Sequence, residues 1–157
     1  MKKFSLALIT VFIVAVFATM ALAAPTSYKV PESLNEYIQV KNTGTSALGK
    51  GAPVVFEGDE VVDTTQPELG VQGTTDTTAV VIGVCLETIE VGAVGTAIVY
   101  GFADVLVDEA VAKDTKVGLS TTSGEADDNN TNGQAIIGTA MEASTGRDTI
   151  RCFIKCK

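Results

Sequence analysis

The feature that most limits how this chain can fold is an internal repeat. Val81-Ile82-Gly83-Val84-Cys85-Leu86-Glu87 matches Ile136-Ile137-Gly138-Thr139-Ala140-Met141-Glu142 in pattern, with Gly83 over Gly138 and Glu87 over Glu142. Upstream of each copy lies a lysine-containing turn and a short apolar run: Lys50 before Pro53-Val54-Val55, and Lys113 before Lys116-Val117-Gly118. Each half therefore reads as strand, turn, strand, variable loop and a long strand centred on glycine. Neither half alone can bury its apolar face, so the two are expected to pack into one core. Two copies are too few for a solenoid, and a pseudo-symmetric barrel is the expectation. A glycine inside each long strand marks a bend or bulge where the barrel closes.

The rest of the chain agrees with short strands. Hydrophobic residues make up 46% of it but aromatics only 6%, with Val, Ala and Ile supplying the difference. Such β-branched side chains suit a pleated, half-buried surface. Strands are expected at residues 37–40, 53–56, 79–86, 96–100, 103–107, 117–119, 135–141 and 149–154, with Gly101 splitting the central pair. Residues 58–78 read as a loop, and residues 108–113 have room for a single helical turn. The fold class is all-β: a small barrel or sandwich of two pseudo-repeated halves.

Ahead of this body, residues 1–23 read as a secretory signal. Lys2 and Lys3 form the positive start, residues 4–20 an unbroken run of apolar and small residues, and Ala21-Leu22-Ala23 the small-x-small cleavage pattern. The run is also long enough for a retained membrane helix. It lacks a charged flank on its far side, however, and cleavage after Ala23 is the expectation. Either way the body of the chain lies outside the cytoplasm. Pro25 and Pro31 keep residues 24–35 extended, as a tail or as an arm that adds a strand to a neighbouring subunit. Residues 36–157 form the domain.

Charge and composition exclude several activities. The formal charge is −8, and −10 once Lys2 and Lys3 leave with the signal. Such a surface repels phosphate backbones and anionic headgroups, so neither nucleic acid nor, after cleavage, a membrane is an expected partner. There is no histidine. That rules out Ser-His and Cys-His nucleophile pairs and His-based zinc sites. No cluster of other groups points to catalysis, and the chain reads as non-enzymatic.

The run GVCLETIEVGAVGTAIVYGFADVLVDEAVAKDTKVGLSTTSGEA, followed by AIIGTAMEASTGRDTIRCFI, resembles the small β-barrel decoration or cement proteins of tailed phages. The recurring features are IGV-x-LE at residues 82–87, G-x-A-x-V at 101–105 and IG-x-AxE at 137–142, and the similarity spans residues 37–154. The resemblance implies a non-catalytic protein that oligomerises, often as a trimer, and stabilises an assembled lattice. Combined with a secretion signal, it implies a homo-oligomeric subunit of an extracellular filament, surface layer or virion-like coat. The competing reading is a secreted module that binds carbohydrate or protein.

Three sets of residues stand out as candidate sites. Cys85, Cys152 and Cys156 are the disulfide candidates. In a regular strand Cys152 and Cys156 lie about 13 Å apart, beyond the ~7 Å between Cα atoms that a bridge tolerates. An intrachain bridge would use Cys85 with one of them, leaving an odd thiol for a second subunit; three buried, reduced thiols are the other reading. Asp128-x-Asn130-x-Asn132-Gly133 matches the first half of a calcium loop, although its twelfth position holds Thr139 in place of Glu. The bland reading is a polar hairpin. Calcium is the one cofactor the sequence suggests. Finally, Tyr37, Tyr100 and Phe102 could belong to a sugar-binding face, or to packing.

Overall fold

The computed structural model describes residues 34–57, 69–128 and 133–156. The expected leader, most of the arm, and Asn130 and Asn132 of the expected calcium loop lie outside them. The described chain is all-β, with nine strands: β1 (Glu36–Asn42), β2 (Pro53–Phe56), β3 (Leu69–Gln72), β4 (Val81–Cys85), β5 (Val94–Val107), β6 (Lys116–Leu119), β7 (Ala126–Asp128), β8 (Ile136–Ala140) and β9 (Asp148–Lys155).

The repeat becomes two rings that share a strand. In the first, β1 lies parallel to β3, β3 pairs with β2, β2 with β4, β4 with β5, and β5 returns to β1. In the second, β5 lies parallel to β7, β7 pairs with β6, β6 with β8, β8 with β9, and β9 returns to β5. Each ring closes on five strands, leaving no open edge within the ring. The exchange of partners happens at Tyr100, which faces Glu36 on β1 and Lys155 on β9. Gly101 follows with φ 120°, a backbone conformation that residues with a side chain rarely adopt. Gly101 therefore does not split the strand, as the sequence suggested; it bends one fourteen-residue strand so that both rings can use it.

Equivalent positions do equivalent work. Val54 faces Gly83 and Val117 faces Gly138, and a register shift follows each, between Val54 and Val55 and between Val117 and Gly118. These are the expected bulges. The glycines are needed because the next strand passes directly over them. A Cβ on Gly83 would lie 2.8 Å from the Ile98 carbonyl oxygen, and one on Gly138 would lie 2.2 Å from that of Phe153. The repeated acids also match. The Glu87 carboxylate accepts the Thr96 amide at 3.0 Å, and the Glu142 carboxylate accepts the Arg151 amide at 2.6 Å. Each therefore caps a backbone donor nine residues ahead.

The core differs from the single interior that the repeat suggested. Val40, Leu48, Val54, Val71, Cys85, Ile89 and Ala97 form one buried cluster, within the first ring. A larger cluster fills the second ring, including Val105, Val117, Ile137, Ile150 and Ile154, and extends to Val55, Val81, Val84 and Ile98 of the first. Because each half closes its own ring, each acquires its own interior. Fully burying one such Val or Ile contributes about 1.5–3 kcal/mol. Two further expectations need correction. Residues 58–78 are not all loop, since β3 lies within them. Residues 108–113 form no helical turn; they pass from a bend into a tight turn that places Asp114 at φ 65°.

Candidate functional site

The densest group of ionisable side chains sits where β5 meets β7. Val107 pairs with Ala126 across two parallel strands, which sets Asp108 and Glu109, just past the end of β5, beside Asp127 and Asp128. Oxygens of Asp108, Glu109 and Asp127 all lie within 4.8 Å of one another. The Ser120 hydroxyl donates to Asp108 Oδ2, while Asp108 Oδ1 is buried without a partner. Gln134 Nε2 donates to Asp127 Oδ1 and to the Leu119 carbonyl.

Burial and neighbouring charge raise the proton affinity of Asp127 and Glu109. Asp127 is pushed up to about 6, first by loss of hydration and then by the charges of Asp108, Glu109 and Asp128, against the Gln134 hydrogen bond that lowers it. Glu109 is also raised, by partial desolvation and by Asp128 and Asp108. Three carboxylate oxygens at this spacing suit either a shared proton or a hard divalent cation. Of the expected calcium ligands, Asp128 is at the edge of this group. Sequence reasoning missed Asp108 and Glu109 because they come from a strand about twenty residues upstream; their only signal is an acidic doublet at a strand end.

The proton linkage gives a measurable result. An acid with a raised folded-state pKa prefers to be protonated in the folded protein. Asp127 therefore adds stability as pH falls through about 6, an effect complete near the ordinary carboxylate value and lost as pH rises again. Asp127→Asn keeps the oxygen that Gln134 addresses and removes the charge. It is expected to be more stable than the parent at pH 7, by about 1 kcal/mol after allowing for solvent screening. The gap should close near pH 4, and urea melts of both proteins across that range check it.

The three cysteines are free thiols. Cys85 belongs to the first ring's apolar cluster and Cys152 to the second's, and Cys156 packs half-buried against the latter. Burial pushes Cys85 and Cys152 up to about 12 and Cys156 up to about 11, with Glu87 adding to the first and Glu142 and Asp104 to the second. Thiols this far from ionisation are poor nucleophiles. A thiol-specific reagent at pH 8 is expected to react slowly with the native protein, and rapidly with all three cysteines in denaturant.

The outer face of β5 and β9 carries the aromatic residues. Phe153 meets Tyr100 edge-on with ring centroids 5.2 Å apart, and Phe102 at 5.0 Å. Such pairs hold each other in place and contribute about 0.5–1.5 kcal/mol beyond the area they bury. Tyr100 and Phe102 of the expected aromatic face are thus together, joined by Phe153. Tyr37 is half-exposed on β1 with its hydroxyl accepting from Asn35 at 2.9 Å, and the same Asn35 amide accepts the Phe102 backbone N–H at 3.1 Å. Beside the aromatics, Arg151 donates to Asp104 at 2.8 Å and Lys50 stands 4.0 Å from the same carboxyl. These exposed pairs add little to stability.

No protein-family model matches the chain, and no curated protein does. Among solved structures the fold is similar to that of the head fibre gp8.5 N base of bacteriophage phi29. The TM-score is 0.58 and the identity 10%, over 78% of this chain and 96% of the phage domain. At that identity the likeness establishes the fold alone.

Proposed function

We propose that this chain is a non-enzymatic structural protein, exported from the cell, which self-associates to form or coat an extracellular filament, surface layer or virion-like lattice. The observation that carries the reading is the shared architecture with a phage head-fibre base. The sequence supplies the two further supports, a leader that reads as a secretion signal and a proline-containing segment suited to strand addition. Among the described residues the acids and thiols fit the same reading. The acids cluster without a histidine beside them, and the thiols are held far from ionisation.

Electron microscopy and light scattering of natively purified protein test this directly. Ordered oligomers or larger arrays are expected, and removal of residues 24–35 is expected to reduce them. A particle that stays monomeric at all concentrations would remove the self-association. Recovery of the chain only from the cytoplasm, with residues 1–23 intact, would remove the export.

A further inference from the structure

The second ring carries a groove of about 410 Å³ on its outer surface, within the range of small-molecule sites. Its construction follows from strand register. Lys116 on β6 faces Thr139 on β8, Thr139 faces Phe153 on β9, and Phe153 faces Phe102 on β5. A transverse row of side chains therefore runs cation, hydroxyl, aromatic, aromatic across four neighbouring strands. Lys155 lies two residues along β9 from Phe153, on the same face of the strand. Gln134, Ile136 and Gly138 complete the lining.

Two properties suit this groove to a ligand. Among the described residues Lys41, Lys113, Lys116 and Lys155 are in no ion pair, whereas Lys50, Arg147 and Arg151 each face a carboxylate, and of those four Lys116 and Lys155 line the groove. A chain with 19 acidic and 11 basic residues thus presents two unneutralised ammonium groups at one cavity. The walls are also firm. Phe153 is fixed between Tyr100 and Phe102, and Gln134 is tied to Leu119 and Asp127. Across two strand spacings and two residues, the lysine Cα atoms stand roughly 12 Å apart on a flat sheet, with Thr139 and Phe153 between them.

We propose that this groove binds a short acidic oligosaccharide: the lysines take sugar carboxylates, the Thr139 hydroxyl bonds to the ring hydroxyls, and Phe153 packs against a sugar face. The mixture of cation, neutral hydrogen-bonding group and aromatic surface matches a carboxylated sugar better than it matches either a neutral glycan or a bare anion. Net charge limits the ligand further. A long polyanion would be repelled by the acidic surface beyond the groove, so the fitting ligand carries one or two charges. This inference is independent of whether the chain assembles.

The test is a titration of the full chain with a tetrasaccharide of alternating glucuronate and N-acetylglucosamine, followed by amide NMR shifts and calorimetry. Two controls accompany it: the neutral methyl ester of the same tetrasaccharide, and tetraglutamate. The proposal expects saturable shifts at Thr139, Phe153 and Lys155 and clear preference for the acid over the ester. Lys116→Gln and Lys155→Gln, both at exposed positions, should each weaken binding about fivefold with melting temperature unchanged. Equal binding of acid and ester would overturn the role of the lysines. Equal or tighter binding of tetraglutamate would overturn the sugar in favour of an acidic peptide. Absence of saturable shifts at millimolar ligand would overturn the site.

Discussion

Replacing Gly138 by alanine is expected to cost about 3 kcal/mol or more. The new Cβ would sit 2.2 Å from the Phe153 carbonyl oxygen and 3.0 Å from its carbonyl carbon. Both are backbone atoms of β9, so no side-chain rotation relieves the clash. β8 must move away from β9, weakening the ladder Gly138–Ile154, Thr139–Phe153 and Ala140–Cys152. The same change at Gly83 meets the Ile98 oxygen at 2.8 Å, and about 1–2 kcal/mol is expected there. Part of each loss is offset, since alanine leaves the unfolded chain less entropy by about 0.4–1 kcal/mol. Urea denaturation of both variants checks the order. If Gly138→Ala proved as stable as the parent, the close crossing of β8 and β9 would be wrong.

Asn42→Ala is expected to lose about 3–4 kcal/mol, because one buried amide satisfies three backbone groups. Its Nδ2 donates to the Ser46 and Ile89 carbonyls, each at 2.9 Å, and its Oδ1 accepts the Gly44 amide at 3.0 Å. Asn42 is fully buried at the end of β1, next to the smaller of the two apolar clusters. Alanine would leave the buried Gly44 amide without its acceptor and the Ile89 carbonyl with the Leu48 amide alone. Asn42→Asp should be worse at neutral pH, since a carboxylate cannot donate to either carbonyl and brings a buried charge. In the second ring, the corresponding loop uses Ser144, which accepts the Val111 amide at 3.0 Å and donates to the Glu109 carbonyl at 3.2 Å. Ser144→Ala removes fewer bonds, and a smaller loss is expected from it. Thermal and urea melts of the three variants rank them.

The repeat was readable because its marks are imposed by physics that leaves residues little choice. Only glycine fits under the carbonyls of Ile98 and Phe153, and only a carboxylate of the right reach caps the amides of Thr96 and Arg151. Strands β3 and β7 were not readable. Leu69-Gly70-Val71-Gln72 and Ala126-Asp127-Asp128 are too short and too polar for alternation to show, and they are strands only because β2 and β6 offer them edges. Gly101 pointed to a break because the sequence cannot distinguish a glycine that ends a strand from one that bends it. The groove was illegible for another reason. Its row runs across β6, β8 and β9, and residues 116, 139 and 153 have no relation until the register is known.

A strand common to both rings also orders the birth of the molecule. The strands of the first ring are complete by residue 100, so it can close while later residues are still being synthesised. What then waits is the far half of β5, apolar on its inner side and unpaired along the whole length that β9 will eventually cover. Of the second ring's strands, the one that covers it, β9, is made last. In a crowded population of half-finished chains, a tail from one molecule can settle on the waiting strand of another, and dimers exchanged through β9 are the misfolded product to look for when the protein is overproduced.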